Sequence, residues 1–207
     1  NDSVLSPPHP RRWRALALLS AAELLGMALW FSGSAVVPAL SSEWQLTASE
    51  VSWLAIAVQL GFVAGTLISA TLNLPDIIST RHLFAIASFL TAIVNGAFGF
   101  FVNDAETAIA FRFLTGVCLA GVYPPGMKIM ATWFRERRGL ALGFLVGALT
   151  MGKAMPYLIN ALGSTNWRSN VGLVSLLAVI GGLIVLLFVD DGPFALPPAK
   201  FDVTQIV

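Results

Sequence analysis

The chain contains six apolar runs of bilayer-spanning length, at residues 15–40, 51–74, 83–102, 107–131, 140–162 and 171–189. A transmembrane helix needs about 20 mainly apolar residues, each adding about 1.5 Å along the axis. The runs are continuous rather than alternating, which disfavours barrel strands. The predicted fold is therefore an all-α membrane protein of six transmembrane helices, with the lipid bilayer as its solvent. Short breaks between runs make consecutive spans antiparallel neighbours. Composition agrees: the 207 residues are 57% hydrophobic and 11% charged, against about 25% charged in a soluble domain. A net charge of +1 supplies no basic footprint, so no nucleic-acid partner is expected. A single cysteine, Cys118, excludes an intrachain disulfide or a multi-cysteine metal centre.

The expected organisation is a cytoplasmic N-terminal segment at 1–14, a six-helix bundle at 15–189 and a cytoplasmic linker at 190–207. Cytoplasmic loops carry the excess of Lys and Arg. With the N-terminus inside, that side receives Arg11, Arg12, Arg14, Arg81, Arg135, Arg137 and Arg138. The other side keeps Arg168 beside Glu43, Glu50, Asp104 and Glu106. A cleaved signal peptide is the competing reading of residues 1–40, but its apolar stretch is too long and five spans follow. Asp190-Asp191-Gly192-Pro193 stops the sixth span and Pro197-Pro198 prevents its resumption. That tail reads as a linker toward a missing C-terminal half, and the opening Asn1 suggests a trimmed chain or a fragment.

Ionisable groups inside a span cost about 2.5–3.5 kcal/mol each on insertion scales. Glu23, Arg112 and Lys153 lie in the first, fourth and fifth spans. They either pair to hold the bundle together or serve a solute pathway. Polar stripes favour the pathway: Ser20, Glu23, Met27, Trp30 and Ser34 share one face of the first span. Ser52, Gln59, Thr66 and Asn73 stripe the second, Arg112, Gly116, Leu119 and Tyr123 the fourth, and Thr150, Lys153, Tyr157 and Asn160 the fifth. The sixth span, relieved only by Ser175 and glycines, is expected to face lipid. Arg112 and Lys153 fall in the outer half of the membrane, Glu23 in the inner half. Two cations at similar depth favour an anionic solute between them, although Lys153 can also snorkel to the headgroups. Glu23 is a candidate proton carrier, or else the acceptor of a structural hydrogen bond. Substrate-contact candidates are thus Glu23, Trp30, Gln59, Arg112 and Lys153. Gly61–Gly65 and Gly143–Gly147 are G-x-x-x-G pairs that permit close helix packing.

Catalytic chemistry finds no support. The two histidines, His9 and His82, lie outside the expected spans, and neither H-E-x-x-H nor G-x-x-x-x-G-K-[ST] occurs. Gly33-Ser34 and Gly163-Ser164 have no buried histidine to serve as base. No catalytic residue, metal or cofactor is expected.

The residues resemble the N-terminal six-helix half of a major facilitator superfamily transporter over nearly the whole chain. The superfamily's G-x-x-x-D-[RK]-x-G-[RK]-[RK] loop corresponds to residues 72–81, where Asp76 and Arg81 remain and both glycines are replaced. Arg112-Phe113-Leu114-Thr115-Gly116 resembles the R-x-x-x-G motif of the fourth helix. Trp133-Phe134 with the turn at 135–139 resembles the basic loop that follows, and Asn166-Trp167-Arg168 resembles the N-W-R before the sixth helix. Trp30-Phe31-Ser32 and Gln59-Leu60-Gly61-Phe62 are most similar to bacterial permeases often labelled nitrate- or cyanate-type. The nitrate branch's asparagine-containing glycine motif is not found at 143–156.

The resemblance implies a 3+3 inverted repeat and a permease that moves a small solute, an anion on the reading of Arg112 and Lys153, by alternating access across the inner membrane. Its partner is a C-terminal six-helix half or a second copy. It further implies that spans 1 and 4 line the cavity and that spans 2 and 5, with their glycine pairs, slide against the partner half. Asp76 and Arg81 become candidates for a cytoplasmic gate. The alternative is a non-transporting six-helix membrane subunit, or a half-size transporter acting as a homodimer.

Overall fold

The computed structural model describes residues 10–162 and 166–195. Gly163, Ser164, His9 and most of the expected tail, Pro197 and Pro198 included, lie outside the described residues. Among the described residues every regular element is an α-helix: α1 (Arg12–Trp44), α2 (Ala48–Thr71), α3 (Leu74–Ile77), α4 (Thr80–Phe101), α5 (Ala105–Leu119), α6 (Tyr123–Trp133), α7 (Arg138–Gly152), α8 (Met155–Ala161) and α9 (Trp167–Phe188). Six units are long and apolar enough to cross a bilayer: α1, α2, α4, α5 with α6, α7 with α8, and α9.

Two spans are interrupted where their prolines dictate. Pro124 and Pro125 carry no N–H, so the carbonyls of Ala120 and Gly121 lose their helical donors and the chain turns between α5 and α6. Pro156 does the same for Gly152, which ends α7. Span starts at the opposite end are capped. Thr47 and Glu50 form a reciprocal capping box on α2, Asp104 Oδ1 accepts the Thr107 N–H at 2.8 Å, and Asn166 Oδ1 accepts that of Arg168 at 2.9 Å. His82 sits in the first turn of α4 rather than outside it, exposed and 2.6 Å from Ser79 Oγ.

The packing has an internal symmetry. α1 packs on α7 and α9, while α5 packs on α2 and α4, and α4 packs on α9. Exchanging the first three spans for the last three carries this contact set into itself, as a 3+3 repeat requires.

The sixth span departs from expectation. α9 buries Asn170, Val174, Ser175, Ala178, Gly181 and Val185 against the bundle, and only its other face, with Leu173, Leu176, Leu183 and Leu187, is exposed. Small residues every three or four positions let α1 and α4 approach closely, and that outweighs the uniform apolarity which suggested a lipid-facing helix.

The arginine-rich loops gather at one end. Arg12 and Trp13 lie against Phe134, and Arg81 pairs with Asp190 at 3.0 Å. At the other end Arg168 pairs with Glu43 at 3.4 Å, and Trp44 stacks edge-on to Trp167.

Candidate functional site

Arg112 is the largest fully buried side chain, 1% exposed. It reaches from α5 into α1, where Nη1 donates to the Leu29 carbonyl at 3.1 Å and Nη2 to that of Trp30. Nη1 also lies 3.5 Å from Ser32 Oγ. Room for the guanidinium comes from Gly33, because a Cβ there would stand 2.5 Å from Nε.

Glu23 is fully buried lower on the same helix, beside Phe84 and Gly126, and neither carboxyl oxygen has a hydrogen-bond partner among the described residues. Six residues of helix separate it from Leu29, about 9 Å of rise. Pairing among Glu23, Arg112 and Lys153 is not observed: the ion pairs among the described residues are Arg81–Asp190, Lys128–Asp76 and Arg168–Glu43.

Lys153 is exposed at the α7 terminus, with Nζ 5.2 Å from the Phe31 ring centroid. Trp30 packs on Phe62 of α2 at 5.0 Å. The structure thus brings Arg112, Trp30 and Lys153 to one level of α1, at residues 29–31. Gln59 stands on an exposed face of α2, and Glu23 occupies a separate buried position. Gly61 and Gly65 press against the backbone of α5, within this bundle, whereas a Cβ at Gly143 or Gly147 would meet nothing within 4 Å among the described residues.

Several buried polar contacts escape the sequence reading. Ser32, Asn95 and Ser175 form a buried chain, and Asn170 donates to the Pro156 carbonyl at 2.8 Å. The signal for Asn95 was a lone amide inside an apolar run, which demands a partner.

Asp76 and Arg81 lie at the same end but take different partners. Asp76 Oδ1 accepts from Lys128 Nζ at 2.6 Å, and the same ammonium donates to the Pro75 carbonyl. Arg81 binds Asp190, whose carbonyl accepts the Trp133 indole N–H at 2.9 Å. The chain past α9 is strapped to α6: Gly192 N–H donates to Thr132 Oγ1 at 2.7 Å and Phe194 N–H to the Thr132 carbonyl at 3.0 Å.

Lys128's hydrogen bond and charge hold the Asp76 carboxyl below its ordinary range. A depressed folded-state value means the pair's stabilisation is complete above the unfolded carboxylate value, about 4, and is lost as pH falls through the lowered one. Both side chains are partly exposed, so Asp76→Asn is expected to cost at most about 1 kcal/mol near neutrality. Thermal unfolding in detergent should show that gap persisting in mild acid and closing as pH falls through the lowered carboxyl value.

A bundle with a carboxyl and a guanidinium buried in spans 1 and 4 belongs to the class of polytopic helical membrane proteins. The chain belongs to the Major Facilitator Superfamily, whose model matches residues 9–204. It is 27% identical over 218 residues to the probable actinorhodin transporter of Streptomyces coelicolor, covering 95% of this chain and 35% of that protein. It is 30% identical over 199 residues to the high affinity nitrate transporter 2.7 of Arabidopsis thaliana, covering 91% and 39%. With the hexuronate transporter of Escherichia coli it shares 24% over 185 residues, covering 86% and 41%. The crystal structure of a bacterial homolog of the human lysosomal transporter Spinster, inward-facing and unoccupied, superposes with a TM-score of 0.70 at 15% identity, covering 95% of this chain and 47% of that one. The chain therefore spans less than half the length of these relatives. Membership places it in a transporter family rather than an enzyme family. Nitrate is one of several solutes among the relatives' names.

Proposed function

We propose that the chain is half of a secondary transporter that moves a small anionic solute by alternating access. The carrying observation is Arg112, a guanidinium fully buried in a transporter-family bundle, with Lys153 meeting α1 at the same level. Trp30 and Gln59 are further candidates for solute contact. Nitrate and hexuronate in relatives' names support an anion. Clustering of the arginine-rich loops at one end supports a cytoplasmic N-terminus, and the bacterial relatives support the inner membrane. Asp76 and Arg81, tied to Lys128 and Asp190, are candidates for holding the cytoplasmic end closed. The exposed face carrying Gly143 and Gly147 is the surface offered to a C-terminal half or a second copy.

Glu23 is proposed to carry the coupled proton, since its carboxyl is fully buried in the first span and neither oxygen has a hydrogen-bond partner among the described residues. Glu23→Gln in the full-length protein, reconstituted with an imposed pH gradient, is expected to keep solute exchange and lose gradient-driven accumulation. Accumulation at the wild-type level would reject that role.

A further inference from the structure

We infer that Asn95 is a positioning residue for Arg112, acting through the hydroxyl of Ser32. Asn95 lies in α4 at 1% exposure. Its Nδ2 donates to Ser175 Oγ at 3.0 Å and to the Val171 carbonyl at 3.3 Å. Ser175 sends its own proton to Val171 at 2.8 Å, so it presents a lone pair to the amide. α9 therefore fixes the amide's orientation, because a flipped oxygen would face the Val171 carbonyl.

That leaves Asn95 Oδ1 aimed at Ser32 Oγ, 2.7 Å away. Ser32 has one proton and two acceptors in reach, Asn95 Oδ1 and the Leu29 carbonyl at 2.9 Å. Leu29 is also the acceptor for Arg112 Nη1 at 3.1 Å. With the proton held by Asn95, the Leu29 carbonyl is left to Arg112, and a Ser32 lone pair faces Nη1 at 3.5 Å. Removing the Asn95 oxygen turns the hydroxyl onto Leu29, where it competes with the guanidinium, and removing the hydroxyl itself takes away the lone pair that faces Nη1. Thr91, equally buried on α4, bonds its own helix at Ala87 and supplies a control.

The consequence for solute rests on the anion reading of Arg112, whereas the positioning itself can be read without transport. The full-length protein is treated with phenylglyoxal, and adducts at Arg112 are quantified by mass spectrometry. Asn95→Leu and Ser32→Ala are each expected to raise Arg112 modification several-fold, with the double variant no higher than either single, as one shared pathway requires. Thr91→Val is expected to match wild type. Unchanged labelling in both singles, additive labelling in the double, or an equal rise in Thr91→Val would overturn the inference. If Asn95→Leu does not fold, Ser32→Ala measured against Thr91→Val decides alone. A parallel arm measures nitrate KM and kcat: Asn95→Leu and Ser32→Ala should raise KM and spare kcat. If Arg112→Ala leaves nitrate uptake intact, the anion reading fails, and the labelling result still judges the positioning role.

Discussion

Gly116→Leu is expected to yield no monodisperse protein after detergent extraction, whereas Gly143→Leu is expected to elute and melt like wild type. A Cβ at Gly116 would lie 2.1 Å from the Val58 carbonyl oxygen, and at Gly61 2.0 Å from that of Phe113. Ordinary contact needs about 3.5 Å. The obstructing atoms belong to backbone, so no rotamer change relieves them. α2 and α5 would have to separate along their whole crossing, at a cost above the roughly 1–3 kcal/mol of an ordinary overpacked core. A Cβ at Gly143 would meet nothing within 4 Å among the described residues, so its leucine variant has room to fold. Fluorescence-detected size exclusion and thermal unfolding check both outcomes. If the Gly143 face receives a second half, the same variant should fold and yet transport poorly.

Arg112→Ala carries the second large effect. The helical carbonyls of Leu29 and Trp30 keep their backbone donors, so the bundle is expected to fold with modest destabilisation. On the proposed anion reading the solute loses a charged donor, and hydrogen bonds to charged groups are worth about 1.5–3 kcal/mol. That converts to roughly a ten- to hundredfold loss of apparent affinity. Arg112→Lys should restore only part of it, since an ammonium cannot donate to two adjacent carbonyls with the guanidinium's planar fork. Concentration-dependent uptake of an anion panel measures both.

These two predictions mark the limit of what the sequence discloses. Gly61–Gly65 and Gly143–Gly147 are the same pattern on paper, and only the packing separates a close crossing from an open face. The spans were legible because lipid imposes length and apolarity on each one. Breaks at Pro124 and Pro156 were visible as prolines, yet a window of hydropathy runs straight through them. Arg112 stood out through its cost in a membrane, but its seat against Leu29 and Trp30 depends on a pairing some eighty positions away, which no local spacing encodes. Lys128 illustrates the same limit. It lies three residues inside the end of the 107–131 run and is absent from the candidates, although it is the partner of Asp76. Asn170 sat one residue outside the expected sixth span, and with Ser175 it turns an apparently lipid-facing helix into a central one.

The most direct test is uptake by the full-length protein in proteoliposomes, using a panel of small anions with and without an imposed pH gradient. Saturable uptake of at least one anion, lost in Arg112→Ala and uncoupled from the gradient in Glu23→Gln, is the predicted result. No uptake of any anion, or uptake indifferent to Arg112, would contradict it.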